Sequence, residues 1–385
     1  MAEKDNLLSN YDYEIPLELI AQKPAEKRTD SRLFVINKNA GNFEHRKFAD
    51  IADYFNEGDC LVINTTKVVP SRLFGKKISG GKVELLFLDP CQNGVTAITN
   101  YELRITDQKQ TGGEYRVLMK PFLETGKKVF FDDGFECVVK SKTGEGEVTV
   151  EFNKPGVLEL LEKRGIMPLP PYINRKSGLA EELSDFDKER YQTVYAGAPG
   201  AIAAPTAGLH FTGEIFNRLK SKGVKVAKLT LHVGWGTFKP IVSTDLNEHK
   251  MMSEKYYIDS ENAAIINESV KNNKKIVSVG TTSARALESL ANETAITNYK
   301  LQITSQRQDG KTYIKEFSGE TSIFIHPGYK FKIINALITN LHLPKSTPLM
   351  MASAFCSREI MLRAYNEAVK EKYRFFSYGD SMIII

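Results

Sequence analysis

Residues 203–233 read AAPTAGLHFTGEIFNRLKSKGVKVAKLTLHV, which places a polar loop, a helix and a strand in succession. Thr212 is a residue type that often caps a helix N-terminus. The apolar side of the following helix is formed by Ile215, Phe216 and Leu219. Gly223 suits the position just past the helix end, and the mostly apolar run 224–233 is typical of a strand. This order indicates an α/β fold.

The same alternation of strands and helices extends through much of the chain. Strands are predicted at 33–36, 60–64, 276–279 and 336–341. A helix is predicted at 157–164, and Ser283 is predicted to cap another over 284–290. Pro348 suits the first turn of a further helix. Such alternation predicts a three-layer core domain, with a mainly parallel sheet covered by helices on both faces.

Residues 68–152 have a different pattern, because short β-type runs follow one another with no convincing helix. These runs are 82–88, 95–99, 115–119, 128–131, 135–139 and 147–152. The pattern is typical of a small antiparallel barrel or sandwich. We therefore predict a barrel-like domain at 68–154, inserted into a core domain formed by 1–67 and 155–385.

Composition limits the class of protein. The chain has 385 residues, 42% hydrophobic and 26% charged, which is typical of a folded globular protein of two domains. No apolar run approaches the roughly 20 residues that cross a bilayer, and no signal peptide is evident. We therefore expect a cytoplasmic protein without a membrane partner. The net charge of +5 permits a polyanionic partner without requiring one. The 4 cysteines form no C-x-x-C pair, so no metal site is predicted.

Four polar loops lie beside predicted strands or helices, and three of them carry a histidine. The loops are 203–212, 231–238 (LHVGWGTF), 279–283 (VGTTS) and 340–347 (NLHLPKST). In a parallel sheet, ligands collect where strands end and helices begin. Taken singly, His210, His232 and His342 are each better explained as partly buried, hydrogen-bonded histidines. Together they favour an active cleft, because imidazole exchanges protons near neutral pH.

Several charged residues have two interpretations. Glu254 is either a surface carboxylate or an acid/base partner, and Asp380 either caps a turn or transfers a proton. Arg285 and Lys345, beside Ser and Thr at helix starts, are either solvated or bind phosphate or carboxylate. No G-x-G-x-x-G follows a strand, which weakens the case for a nicotinamide dehydrogenase or a Rossmann-type methyltransferase. The residues alone predict an α/β enzyme with a β-rich insert and a polar, histidine-bearing cleft.

Long motifs over nearly the whole chain resemble one family, the S-adenosylmethionine:tRNA ribosyltransferase-isomerases of queuosine biosynthesis. They include YDYEIP (11–16), LVINTTKVVPSRL (61–73), GGKVE (80–84), ERYQTVY (189–195), APTAGLHFT (204–212), TLHVGWGTFKP (230–240), VGTTSARALES (279–289), ITNLHLPKST (338–347) and YRFFSYGD (373–380). So many ordered motifs make the resemblance specific.

The resemblance implies unusual chemistry. Enzymes of this family transfer and isomerise the ribosyl group of S-adenosylmethionine onto the aminomethyl group of a 7-deazaguanine (preQ1) at the wobble position of tRNA. Adenine and methionine leave, and the product is epoxyqueuosine in tRNA. S-adenosylmethionine is then a consumed cosubstrate, no other cofactor is expected, and a monomer is expected.

The resemblance also suggests residue roles. As a hypothesis, His210 or His232 supplies a base, His342 or Asp380 assists protonation of the leaving group or amine, and Glu254 is an acid/base partner. Substrate binding is predicted for Thr206, Gly208, Gly234, Gly236, Thr281, Thr282, Ser283 and Arg285, with the methionine carboxylate near the last four of these. RNA phosphates are predicted to contact Lys67, Arg72 and Lys345.

Two other functions compete with this prediction. A conventional tRNA methyltransferase would release S-adenosylhomocysteine and should carry a Gly-rich strand-to-helix turn, which the sequence lacks. A catalytically silent protein that binds the tRNA anticodon would not turn over S-adenosylmethionine, and it gives no reason for three histidines in junction loops.

Overall fold

The structure is a computed structural model, which describes residues 5–91, 95–99, 102–105, 112–143, 146–175, 184–292, 294–297 and 300–385. It consists of a nine-stranded sheet, a closed six-stranded barrel and four two-stranded sheets. The α/β class and the barrel agree with the predicted fold. Within the described part of the chain, no helix combines the length and apolar character needed to cross a membrane.

The elements are numbered in chain order. The first strands are β1 (Arg32–Asn37), β2 (Asn42–Lys47), β3 (Cys60–Asn64) and β4 (Thr66–Val68). The next are β5 (Arg72–Lys76), β6 (Lys82–Phe87), β7 (Val95–Thr99), β8 (Glu102–Ile105), β9 (Glu114–Lys120), β10 (Lys128–Phe130), β11 (Glu136–Lys142) and β12 (Glu147–Phe152). The last are β13 (Ala198–Ala201), β14 (Lys225–Leu231), β15 (Glu254–Ile258), β16 (Ile276–Val279), β17 (Thr294–Thr297), β18 (Lys300–Ile303), β19 (Ser305–Gln308), β20 (Lys311–Ile314), β21 (Phe317–Thr321), β22 (Ala336–Asn340) and β23 (Ser381–Ile384).

Most helices follow the barrel in the chain. They are α1 (Val157–Arg164), α2 (Ser184–Arg190), α3 (Gly213–Ser221), α4 (Ser260–Lys271), α5 (Gly280–Leu290), α6 (Thr347–Cys356) and α7 (Arg358–Lys370). Short 3-10 helices occupy Leu8–Tyr11, Leu17–Leu19, Arg28–Asp30, Phe48–Tyr54, Asp132–Gly134, Thr206–His210, Trp235–Phe238 and Leu246–Glu248.

The large sheet has the strand order β2-β1-β23-β22-β16-β3-β14-β15-β21. Its central strands β22, β16, β3 and β14 are parallel. Among the outer strands only the β1–β23 pair is parallel, and the remaining pairs are antiparallel. The predicted parallel sheet is therefore the centre of a mixed sheet, which antiparallel strands extend on both sides.

Successive side chains of β3 enter two different cores. Cys60 and Val62 belong to a core that includes buried residues of α4, α5 and α7. Leu61 and Ile63 belong to a second core, which includes buried residues of α3 and the 3-10 helix Phe48–Tyr54. Because side chains of a strand alternate between faces, the two cores lie on opposite sides of the sheet. This is the predicted three-layer arrangement.

The barrel closes in the order β10-β11-β12-β9-β6-β5. Its interior is apolar, and on β9 it receives Tyr115, Val117 and Met119. At the closing β5–β10 pair, a Cβ on Gly75 would lie 2.8 Å from the carbonyl oxygen of Phe130. Only glycine permits that approach. All six barrel strands lie within the predicted segment 68–154, whose boundaries themselves stay a prediction.

Two predicted helix starts have different outcomes. Helix α3 begins as predicted, because the Thr212 hydroxyl accepts a hydrogen bond from the Ile215 N–H (3.4 Å). The predicted cap at Ser283 is wrong, since α5 begins at Gly280 and Ser283 is buried in its first turn. The reason is the left-handed φ of +84° at Gly280, which turns the chain from β16 directly into the helix.

Candidate active site

A cavity of about 470 Å³ lies at the carboxyl end of the central strands. Its wall includes Gly280 directly after β16, Asn340 at the end of β22 and Val233 shortly after β14. Parallel sheets in α/β proteins bind ligands at this edge. The volume falls in the range of roughly 300–1,000 Å³ that is usual for small-molecule sites.

Residues from all four predicted polar loops meet at this cavity. The 3-10 helix Thr206–His210 contributes Thr206, and the loop after β14 contributes Thr237. The start of α5 contributes Thr281 and Thr282, and the loop between β22 and α6 contributes His342. Three of the loops follow β14, β16 and β22, whose ends meet at one edge of the large sheet. The fourth loop follows β13, which pairs with β4 in a separate two-stranded sheet.

The charged side chains among the described residues that line the cavity are those of Lys239 and Lys345, and Lys345 pairs with Asp12, which lies outside the lining. No aspartate or glutamate is among these lining residues. The N-terminal turn of α5 adds the positive end of a helix dipole at Gly280–Thr282. An anionic group is therefore favoured at this end of the cavity.

His342 is the predicted catalytic histidine that lines the cavity. Its Nε2 lies 2.8 Å from the Thr339 hydroxyl, and its backbone N–H donates to the Tyr365 hydroxyl (2.8 Å). The Tyr13 hydroxyl donates to its carbonyl oxygen. Burial lowers the pKa of the imidazole from 6.5 to about 3. The ring is therefore rigidly held and neutral at physiological pH.

His210 is buried behind the cavity wall and is not part of its lining. Its Nδ1 lies 2.8 Å from the Ser31 hydroxyl, and its Nε2 lies 3.3 Å from the amide nitrogen of Asn340. Burial lowers its pKa to about 4, against an opposing influence of Asp380. Both ring nitrogens are engaged within the protein.

His232 follows β14 but also lies outside the cavity lining. Its Nδ1 lies 2.9 Å from the hydroxyl of Thr66 on β4. Burial lowers its pKa to about 4. A Cβ on Gly200 would lie 2.8 Å from the ring, so the imidazole packs closely against the backbone of β13. The position suits a structural histidine between β14, β4 and β13.

Glu254 and Arg285 form a buried ion pair and do not line the cavity. The other Glu254 oxygen accepts hydrogen bonds from the Gly234 N–H (2.9 Å) and the Thr237 hydroxyl (3.3 Å). The Arg285 Nε–H donates to the carbonyl of Ile323 (3.1 Å). The pair thus connects α5 and β15 to the loop that carries Thr237 into the cavity wall.

Asp380 is also engaged in holding the fold. It is 2% exposed, and its oxygens accept from the backbone N–H groups of Arg32 (3.0 Å) and Arg374 (2.8 Å). The guanidinium of Arg374 donates to it as well (3.0 Å). These contacts link β1 to the segment before β23, and Asp380 is not among the cavity-lining residues.

The remaining predicted substrate residues lie behind the wall. A Cβ on Gly208 would lie 2.1 Å from the Tyr195 hydroxyl, and one on Gly236 would lie 2.8 Å from Met252. Neither glycine lines the cavity, and Ser283 does not either. The absence of a side chain at Gly208 and Gly236 lets Tyr195 and Met252 pack closely against these two loops.

The three predicted RNA contacts lie in different settings. Lys67 is an exposed residue of β4. Arg72 on β5 lies 3.3 Å from Glu84, and Lys345 pairs with Asp12 at the cavity rim. Surface pairs of this kind contribute little and exchange readily with another anion.

Across the described residues, no group of three or more His, Cys, Asp and Glu side chains has an arrangement that could hold a metal ion.

Comparison with known proteins identifies the family. The family model described as "Queuosine biosynthesis protein" matches residues 8–384. The chain belongs to this family. A protein from Clostridioides difficile named S-adenosylmethionine:tRNA ribosyltransferase-isomerase is 45% identical over 97% of this chain and 98% of its own. One of the same name from Acetivibrio thermocellus is 44% identical over 98% of this chain and 99% of its own.

A solved structure is similar as well. The crystal structure of an S-adenosylmethionine tRNA ribosyltransferase from Thermotoga maritima is 30% identical, covers 98% of this chain and 100% of that chain, and gives a TM-score of 0.50. These findings confirm the predicted resemblance and the prediction of an enzyme of the ribosyltransferase-isomerase family. The residue roles within this family member stay predictions.

The sequence analysis did not single out several residues of the cavity. Asn340 and Lys239 belong to its wall, as do Tyr172, Tyr191 and Ser377. The Tyr172 hydroxyl lies 2.6 Å from the Ser377 hydroxyl. All but Tyr172 lie in the motifs quoted for the family resemblance, so a search for polar side chains within those motifs would have found these four.

Proposed function

We propose that this enzyme transfers and isomerises the ribosyl group of S-adenosylmethionine onto preQ1 at the wobble position of tRNA. The product is epoxyqueuosine in tRNA, and adenine and methionine are released. The observation that carries the proposal is the match over nearly the whole chain to relatives of that name, at 44–45% identity. S-adenosylmethionine is then a consumed cosubstrate, and the proposal requires no other cofactor.

The cavity is the proposed site for S-adenosylmethionine. Its methionine carboxylate would bind at Gly280–Thr282, where first-turn amides of α5 and the nearby lysines favour an anion. Arg285, predicted for this role, instead neutralises Glu254. The α5 amides therefore replace the guanidinium in the proposal.

His342 is the proposed proton-transfer residue. A sulfonium acidifies the adjacent C5′ hydrogens, so a nearby base could remove one of them, and the attacking amine must also lose a proton. His342 is neutral and lines the cavity. His210 and His232 are not among the residues that line it. A bound carboxylate would raise its low pKa, because a nearby negative charge favours the protonated form.

The tRNA is the proposed macromolecular partner. Lys67, Arg72 and Lys345 are the candidates for phosphate contacts, of which Lys345 lies at the cavity rim. RNA phosphates would displace Glu84 from Arg72 and Asp12 from Lys345, because each ion pair is only partly buried. We further propose that the enzyme works as a monomer in the cytoplasm.

Incubation of the protein with S-adenosylmethionine and preQ1-containing tRNA tests the proposed function. Chromatography should show free adenine and methionine in equal amounts. Mass spectrometry of the digested tRNA should show conversion of preQ1 to epoxyqueuosine. S-adenosylhomocysteine as the product, with a methylated nucleoside, would contradict the proposal, and so would tRNA binding without any turnover.

A further inference from the structure

A chain of buried hydrogen bonds runs from Ser31 to the cavity. The Ser31 hydroxyl lies 2.8 Å from Nδ1 of His210, and Nε2 of His210 lies 3.3 Å from Nδ2 of Asn340. The Thr206 hydroxyl donates to Oδ1 of Asn340 (2.8 Å). Thr206 and Asn340 line the cavity, while Ser31 and His210 lie behind them.

The direction of the first two bonds follows from the number of protons available. The Ser31 hydroxyl has one proton and lies near two acceptors, the carbonyl of Arg28 (3.1 Å) and Nδ1 of His210 (2.8 Å). Donation to the carbonyl, which can only accept, leaves Ser31 to accept from Nδ1–H of His210. A neutral imidazole carries only one N–H, so Nε2 of His210 is an acceptor and receives a proton from the Asn340 amide.

The direction of the last bond follows from the amide. Because the NH₂ group of Asn340 faces His210, its Oδ1 faces Thr206 and accepts the hydroxyl proton. The Thr206 oxygen then has lone pairs, and no proton, to offer a ligand. Thr206 lies on the cavity wall.

We propose that His210 is a positioning residue, which acts through Asn340 to fix the Thr206 hydroxyl as a hydrogen-bond acceptor for an N–H or O–H donor of the substrate. The inference rests on the proposed function for the identity of that donor. Several substrate groups have this chemistry: on S-adenosylmethionine the ribose hydroxyls, the α-ammonium group and the adenine amino group, and on the tRNA the aminomethyl group of preQ1.

Nitrogen NMR of ¹⁵N-histidine-labelled enzyme tests the relay without any turnover. His210 should be the Nδ1–H tautomer with a bare Nε2, assigned by the loss of its signals in His210→Gln. The Nε2–H tautomer would overturn the proposal, because the Asn340 amide would then be flipped. Its NH₂ group would donate to Thr206, and the Thr206 hydroxyl would keep its proton to donate to a ligand. This experiment stays decisive if the proposed reaction fails.

Asn340→Asp gives a second NMR test. The carboxylate keeps an oxygen toward Thr206 but offers His210 an acceptor in place of a donor. Nε2 of His210 should then carry a proton and donate a charge-assisted bond to Asp, either in the Nε2–H tautomer or in a doubly protonated ring. An Nε2 that stays bare would contradict the inferred contact, whereas mere packing would not change protonation.

Steady-state kinetics of Thr206 variants identify the donor. Thr206→Val should raise the KM for one substrate or lower kcat by about tenfold, since a buried substrate donor loses its acceptor. Thr206→Ser, which keeps the hydroxyl, should stay within about threefold of the wild type. A raised KM for S-adenosylmethionine places the donor on that substrate, and a raised KM for tRNA places it on the modified base. Equal kinetics for Val and Ser would overturn the proposal.

Discussion

At the scale of single residues, burial lowers the pKa of the three histidines His210, His232 and His342. The pKa of His210 and His232 falls to about 4 and that of His342 to about 3, in each case mainly because the charged ring is poorly solvated. All three are therefore neutral near pH 7. What separates them is position, because His342 lines the cavity and the other two are held behind or beside it.

His342→Ala should lower kcat by about 10²-fold or more, because it removes the proposed proton-transfer group from the cavity wall. His232→Ala should lower kcat by less than tenfold, since that ring contacts Thr66 outside the cavity. Single-turnover adenine release at saturating substrates measures both. The reverse order of effects would contradict the assignment.

His210 should make stability depend on pH. The unfolded chain protonates this ring near pH 6.5 and the folded protein only near pH 4, so the unfolded state binds more protons between these values. Stability is then fully present above pH 6.5 and falls as the pH falls, by up to about 3 kcal/mol at pH 4. Urea unfolding from pH 7.5 to 4 measures this decline. His210→Gln should remove only this share of the decline, because His232 and His342 also have lowered pKa values. An unchanged decline in the variant would refute the prediction.

At the scale of elements, the start of α5 depends on Gly280. Its φ of +84° is costly for any residue with a Cβ, although a Cβ there would meet no atom closer than 3.6 Å. Gly280→Ala should therefore destabilise the protein by about 1–2 kcal/mol through the backbone alone. It should also raise the KM for S-adenosylmethionine, because the first turn of α5 is the proposed carboxylate site.

Gly213→Ala is the matched control for Gly280→Ala. Gly213 begins α3 and has no positive φ, and a Cβ added there would meet nothing within 4 Å. Its replacement should leave the free energy of unfolding unchanged or raise it by up to about 1 kcal/mol. Equal losses for the two variants in urea unfolding would contradict the role given to φ.

The Glu254–Arg285 pair couples three elements, so breaking it should have a large effect. Glu254→Gln leaves a buried guanidinium without its counter-charge, which should cost about 3–5 kcal/mol. The double variant Glu254→Leu with Arg285→Met should recover most of this loss, because no buried charge remains. Urea unfolding measures the free energy of unfolding of both variants. A loss below about 1 kcal/mol for Glu254→Gln would show that the ion pair is not needed for stability.

The sequence predicted elements better than contacts. The Thr212 cap and helix 157–164 are determined by neighbouring residues, and both are confirmed. The start of α5 was misplaced because a Ser beside Thr is a good cap by residue type, whereas the turn depends on the backbone of Gly280. The partnership of Glu254 and Arg285 depends on tertiary packing, which no local pattern contains.

At the scale of the whole molecule, a three-layer core supplies the cavity, and β5, β6 and β9–β12 form a separate closed barrel. Both were predictable, because hydrophobic alternation and turn residues distinguish barrel from core along the chain. The antiparallel strands at the ends of the large sheet were not predictable, since strand direction is decided by the path between strands. The meeting of the loops after β14, β16 and β22 at one cavity was predictable, because these strands end at one edge of the large sheet. The place of the loop after β13 was not, since β13 pairs with β4 outside that sheet.

Lys67→Ala should weaken tRNA binding and reduce the slope of log K against log salt by about one unit, if Lys67 contacts a phosphate. Lys140→Ala is the control, because Lys140 lies on the barrel and pairs with Glu151 at 2.9 Å. Its slope should equal that of the wild type. Fluorescence anisotropy at several salt concentrations measures both, and an unchanged slope for Lys67→Ala would exclude that contact.

The central claim is that the sugar of S-adenosylmethionine, and not its methyl group, reaches the RNA. The most direct measurement uses S-adenosylmethionine with tritium on the ribose and carbon-14 in the methyl group, together with preQ1-containing tRNA. The account predicts tritium in the tRNA and all carbon-14 in free methionine. Carbon-14 in the tRNA, with the tritium left in S-adenosylhomocysteine, would contradict it.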